Sequence, residues 1–131
     1  MDSTVKEDVE ITVKETSDTP IIKELRENLT TNSIGSIIHR FEANGRLELI
    51  AVNSKLMRAG IRILNGFEIF SAKEFSGNQI WFPRMLCVNE INDPLNINGL
   101  VYDKFPLTGI IEINIEGGQP NESVELVVRW S

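Results

Sequence analysis

Val9, Ile11 and Val13 alternate with Glu10, Thr12 and Lys14, the period-two signature of a half-buried strand. Beyond Thr19, suited to cap a helix, and Pro20, suited to its first turn, Ile21, Ile22, Leu25 and Leu29 fall on one helical face. The spacing therefore predicts a helix over about 20–29, closed by Thr30-Thr31-Asn32-Ser33. Ile37, Ile38 and Phe41 read as a second strand over about 35–43, although Ile34, Ile37, Ile38 and Phe41 also keep helical spacing. From Arg46 to Leu64, Leu47, Ile50, Ser54, Met57, Ile61 and Leu64 recur at steps of three and four. A second helix is preferred there, because the face persists for five turns. The competing reading makes Asn44-Gly45 a hairpin turn between two strands.

Residues 67–75 read as a third strand, and residues 76–108, with Pro83, Pro94 and Pro106, as a long irregular loop. Ile111, Ile113 and Ile115 mark a strand over 109–116, and Val124, Leu126, Val128 and Trp130 mark a last one over 122–130. The expected fold is thus α/β, an α+β two-layer sandwich of order β-α-β-α-β-β with an extra C-terminal strand. A flexible acidic leader, 1–8, precedes a single domain, 9–131.

Composition narrows the setting. A chain of 131 residues can bury a core of its own, and 24% charged residues are ordinary for a globular protein. A lone cysteine, Cys87, rules out an internal disulfide and suits a reducing compartment, so an intracellular protein, cytoplasmic or nuclear, is expected. The acidic start is unlike a secretory signal, and no apolar run is long enough to span a bilayer. With one histidine, His39, beside that cysteine, neither a metal nor a cofactor is expected. The net charge of −6 speaks against nucleic acid, but residues 39–62 reverse it locally, with Arg40, Arg46, Lys55, Arg58 and Arg62 against Glu42 and Glu48.

Residues 9–116 resemble the Alba superfamily of nucleic-acid-binding proteins. The resemblance rests on Ala43-Asn44-Gly45-Arg46-Leu47-Glu48-Leu49-Ile50-Ala51-Val52, set against a family pattern of Ala-x-Gly-(Lys/Arg)-Ala-Ile-x-x-Ala-Val. Pro20 stands where the family has a proline opening its first helix. Ser17, Asp18 and Thr19 replace the usual basic residues before that proline, Leu47-Glu48 replaces Ala-Ile, and the strand at 122–130 is extra. The resemblance implies a dimer that binds RNA or DNA.

Arg46 beside Gly45 could meet a phosphate, and Lys55, Arg58 and Arg62 could track a phosphate backbone. Trp81 and Phe82, flanked by Arg84, could stack on bases. The plainer reading makes the cations a solvated face and folds Trp81 onto the core. No nucleophile motif, phosphate loop or organised acid pair is present, so no enzyme is expected. Glu112 and Glu116 share a strand face, where carboxylates are commonly just solvated. Two functions follow: a non-catalytic nucleic-acid-binding subunit, RNA favoured over DNA, or a protein-interaction subunit without direct nucleic-acid contact. An excess of large apolar residues (Phe67, Phe70, Phe75, Trp81, Phe82, Leu86 and Trp130) points to a homodimer or a heterodimer with a related subunit.

Overall fold

The computed structural model describes residues 21–88 and 100–131, and every regular element among them is a strand. In chain order these are β1 (Lys23–Thr30), β2 (Ile37–Glu42), β3 (Gly45–Ser54), β4 (Ala59–Leu64), β5 (Glu68–Phe75) and β6 (Gln79–Trp81). They continue with β7 (Met85–Val88), β8 (Leu100–Asp103), β9 (Pro106–Leu107), β10 (Ile110–Glu116) and β11 (Ser123–Trp130). The first sheet runs β1-β11-β3-β6, with β9 also on β3; the second runs β2-β10-β4-β5. All these pairings are antiparallel. The chain crosses between the two larger sheets at nearly every connection, and within them only β4–β5 is a hairpin among the described strands. That connectivity is an eight-stranded jelly roll. In the long connection from β6 to β10, β7 and β8 form a separate two-stranded ribbon.

One apolar core joins the sheets. Ile50, Val52, Val124, Leu126 and Val128 of the first sheet meet Ile61, Ile63, Ile111, Ile113 and Ile115 of the second in a single buried cluster. Their alternation with outward polar neighbours is what a two-layer sandwich requires, since one face of each sheet stays in water.

The α/β expectation is therefore corrected, because both helices are strands. In 23–30 the inward Leu25 and Leu29 are four apart, which is one helical turn but also two strand periods. In 46–64 the three-residue step from Leu47 to Ile50 comes from a β-bulge. Leu47 lies opposite Trp130 and Leu49 opposite Arg129, so the register slips by one residue. A turn at 55–58 then separates β3 from β4, and Met57, assigned to the helix face, is exposed. The hairpin reading of Asn44-Gly45 had the strands right, but that dipeptide is a corner between sheets. The strands expected at 35–43, 67–75, 109–116 and 122–130 appear as β2, β5, β10 and β11. The loop at 76–108 contains β6, β7, β8 and β9. The leader at 1–8 and the strand at 9–13 lie outside the described residues.

Candidate functional site

The six residues singled out in the sequence do not form one surface. Arg46 is the second residue of β3 and Lys55 follows its end, so nine extended residues hold them roughly 30 Å apart. Arg46 reaches Asp103 at 3.3 Å and the Lys104 carbonyl at 3.2 Å. Arg58 sits in the β3–β4 turn, 3.6 Å from Glu74. Arg62 lies on the outer face of the second sheet, 2.8 Å from Glu116. Arg84 donates to the carbonyls of Glu48 and Pro83. Trp81 turns inward, edge-on to Phe70 and Phe75 at 6.0 and 5.3 Å between ring centres. The stripe expected from Lys55, Arg58 and Arg62 needed a helix, and without it these side chains belong to a turn and a sheet. His39 half-buries against Phe41, and Glu112 pairs with Arg40. Among the described residues no cluster of His, Cys, Asp and Glu suits a metal ion, and no helix is long and apolar enough to cross a membrane.

The outer face of the first sheet carries a ladder of charges across β1, β11 and β3. Glu24 accepts from Arg129 at 2.7 Å and from Arg26 at 3.1 Å, and Glu125 accepts from Arg26 at 3.0 Å and from Asn53 at 2.7 Å. Glu48 accepts from the Ser131 hydroxyl at 2.6 Å and from Lys104 at 2.9 Å. These bonds hold three carboxyls below their ordinary value of 4.5: Arg129 acts most strongly on Glu24, Asn53 on Glu125 and Ser131 on Glu48. A carboxyl depressed in the folded state stabilises above its unfolded value, and that contribution is lost as pH falls through the folded one. Melting temperature should therefore hold steady from neutral pH to about 4.5 and then fall in more acid solution. Glu48→Gln should flatten that fall; a melting-temperature profile parallel to wild type would remove Glu48 from the explanation.

Large apolar side chains gather at the β7–β8 ribbon. Among the described residues its strands pair only with each other, and Leu86 stands opposite Tyr102. Both point to water, 55% and 75% exposed, with Phe82 at the root of the ribbon 62% exposed. The other face of the ribbon turns Met85 toward Phe67, Ile69 and Phe105 around an apolar cavity of about 200 Å³. Of the aromatic residues thought to exceed the core, Phe70, Phe75, Trp81 and Trp130 pack against or within it, whereas Phe67 and Phe82 remain outside.

A different site occupies the outer face of the second sheet. Asn114 lies at mid-β10, opposite Ile38 of β2 and Arg62 of β4. It is only 7% exposed, and no donor among the described residues reaches its Oδ1. An unmatched buried acceptor of this kind costs roughly 1–3 kcal/mol. Arg62 is held between Glu116, at 2.8 Å, and Glu68, at 3.9 Å. Sequence reading passed over Asn114, because a polar residue between Glu112 and Glu116 looks like one more outward position in the alternation. Its burial depends on neighbours from two other strands. Comparisons with protein-family models, curated proteins and solved structures find no match to this chain.

Proposed function

We propose that this chain is a non-catalytic protein-interaction module whose β7–β8 ribbon docks on another protein. The observation that carries the reading is the Leu86–Tyr102 cross-strand pair, exposed on a ribbon that no other strand among the described residues extends. A two-stranded ribbon is marginally stable in water by itself, and burying its apolar face on a partner offsets that weakness. Aromatic residues, tyrosine among them, are enriched at protein interfaces. The net charge of −6 suits a neutral or basic partner. Direct nucleic-acid binding is the less favoured of the two functions, because Arg40, Arg46, Arg58 and Arg62 each already face a carboxylate. Phosphate binding would have to compete with those pairs.

A photo-crosslinking amino acid in place of Tyr102, in the full chain inside cells, tests this. The expected product is a discrete protein adduct, either a dimer of this chain or a second polypeptide, that disappears when Leu86→Asp is added. Adducts to RNA or DNA, or protein adducts indifferent to Leu86→Asp, would overturn the proposal.

A further inference from the structure

We infer that the free edge of β1 is a dimerisation edge, and that its occupant is β1 of a second copy of this chain, paired antiparallel about a two-fold axis. This edge shares no residue with the β7–β8 ribbon and stands whether or not the ribbon docks a protein. β1 closes the first sheet on one side, and among the described residues no strand pairs with its far edge. All eight of its residues pair with β11 without a shift of register, and none is proline. Such an edge leaves a row of backbone N–H and C=O groups that a further strand can complete. The β5 edge of the second sheet differs, because its pairing with β4 carries two register irregularities that blunt it for strand addition. Beside the β1 edge, Ile21 and Ile22 are 71% and 51% exposed, and Leu25 and Leu29 are only half-buried over the core.

The charges of β1 select the occupant. Lys23, Glu24, Arg26 and Glu27 crowd one short strand, and Glu27 is half-buried on its inward side. Charges so placed exclude most strands from an edge, since like charges directly opposite are destabilising. A second copy of β1 fits them. With Leu25 opposite Leu25, Lys23 stands opposite Glu27, Glu24 opposite Arg26 and Ile21 opposite Leu29, each pair made twice by the two-fold axis. Every charge of the strand then meets its opposite. A slide of two residues sets Glu24 against Glu24 or Arg26 against Arg26, and a slide of four sets Lys23 against Lys23 or Glu27 against Glu27. A slide of one turns the inward residues outward. One register remains. It also extends the ladder already present, for Glu24 would lie between its own Arg129 and Arg26 of the second copy, and Arg26 between its own Glu125 and Glu24 of the second copy. The joined sheet runs β6-β3-β11-β1-β1-β11-β3-β6.

Sedimentation velocity of the full chain over a range of concentrations tests this, and should show a monomer–dimer equilibrium. Lys23→Glu and, separately, Glu27→Lys should each weaken the dimer about tenfold or more, because each replaces two opposite-charge pairs by two like-charge pairs. An equimolar mixture of the two variants should restore it, since both cross-strand pairs are then of opposite sign again. Lys23 and Glu27 stand outside the ladder within the chain, and recovery in the mixture shows in itself that both variants fold. Leu86→Asp should leave the dimer intact, which separates this edge from the ribbon. The inference fails if the chain stays monomeric at every concentration, the outcome expected when a different segment or another protein occupies the edge. It fails too if the dimer withstands both single variants, or if the mixture stays as dissociated as either variant alone.

Discussion

Leu56→Ala should lower the unfolding free energy by about 2–5 kcal/mol, whereas Met57→Ala, one residue on, should change it by no more than about 0.5 kcal/mol. Leu56 has no exposed surface and belongs to the core cluster, while the Met57 side chain is more than half exposed in the same turn. A helix over 46–64 would reverse the two, since its apolar face holds Met57 and omits Leu56. Urea denaturation monitored by tryptophan fluorescence measures both, with an unchanged denaturant slope confirming that the same folded state is being compared. A loss at Met57 with tolerance at Leu56 would overturn the sandwich in this region. With total stability of small domains at about 5–15 kcal/mol, the loss at Leu56 removes a large share of it.

Gly35→Ala is the second substitution with a large expected effect, about 3 kcal/mol. Gly35 has a φ of 78°, a conformation that L side chains resist. A Cβ there would also land on the Gly118 carbonyl oxygen, which is backbone and cannot swing aside. Gly118 N–H donates to the Gly35 carbonyl at 3.1 Å, so the contact ties the β1–β2 corner to the β10–β11 turn. Thr31, buried beside it, strengthens that tie. Its hydroxyl donates to the Gln119 carbonyl at 2.6 Å and accepts from the Glu122 N–H at 2.8 Å. Gly66, also at positive φ, meets nothing where its Cβ would stand, so Gly66→Ala should cost only the backbone strain, about 1–2 kcal/mol. Thermal melts of the two variants side by side check the difference. Equal losses would mean that the close approach of Gly35 and Gly118 contributes nothing.

The candidate sites were less legible than the strands. The run from Arg40 to Arg62 looked like a basic surface because its acidic partners are remote in sequence. Arg40 pairs with Glu112, Arg46 with Asp103 and Arg62 with Glu116, and only folding brings them together. The apolar cluster of the 76–108 region was visible as an oddity, Ile80, Trp81, Phe82, Met85 and Leu86 among prolines and asparagines. Which of them face water was not. Trp81 and Met85 turn inward, and Leu86 owes its exposure to pairing with Tyr102 on a ribbon whose second strand lies beyond residue 99.

Local alternation sufficed for β2, β10 and β11, because side chains of a regular strand point to opposite faces in turn. The same rule misled at β3 and β4, where a bulge and a turn shifted the phase and imitated a helical step. Whether a four-residue spacing is a helix turn or two strand periods is settled by what hydrogen-bonds to the backbone. For β1 that partner is β11, with Lys23 opposite Trp130 at the far end of the chain. Single-sequence periodicity holds no information about such a pairing. From the residues alone follow the size the core can reach, four of the strands, and the acidity of the chain. Folding made strands of 23–30, 45–54 and 59–64 as well, set Arg40, Arg46, Arg58 and Arg62 against carboxylates, and buried Asn114 without a donor among the described residues. All three depend on contacts between residues tens of positions apart, which the chain makes only when its sheets close over one core.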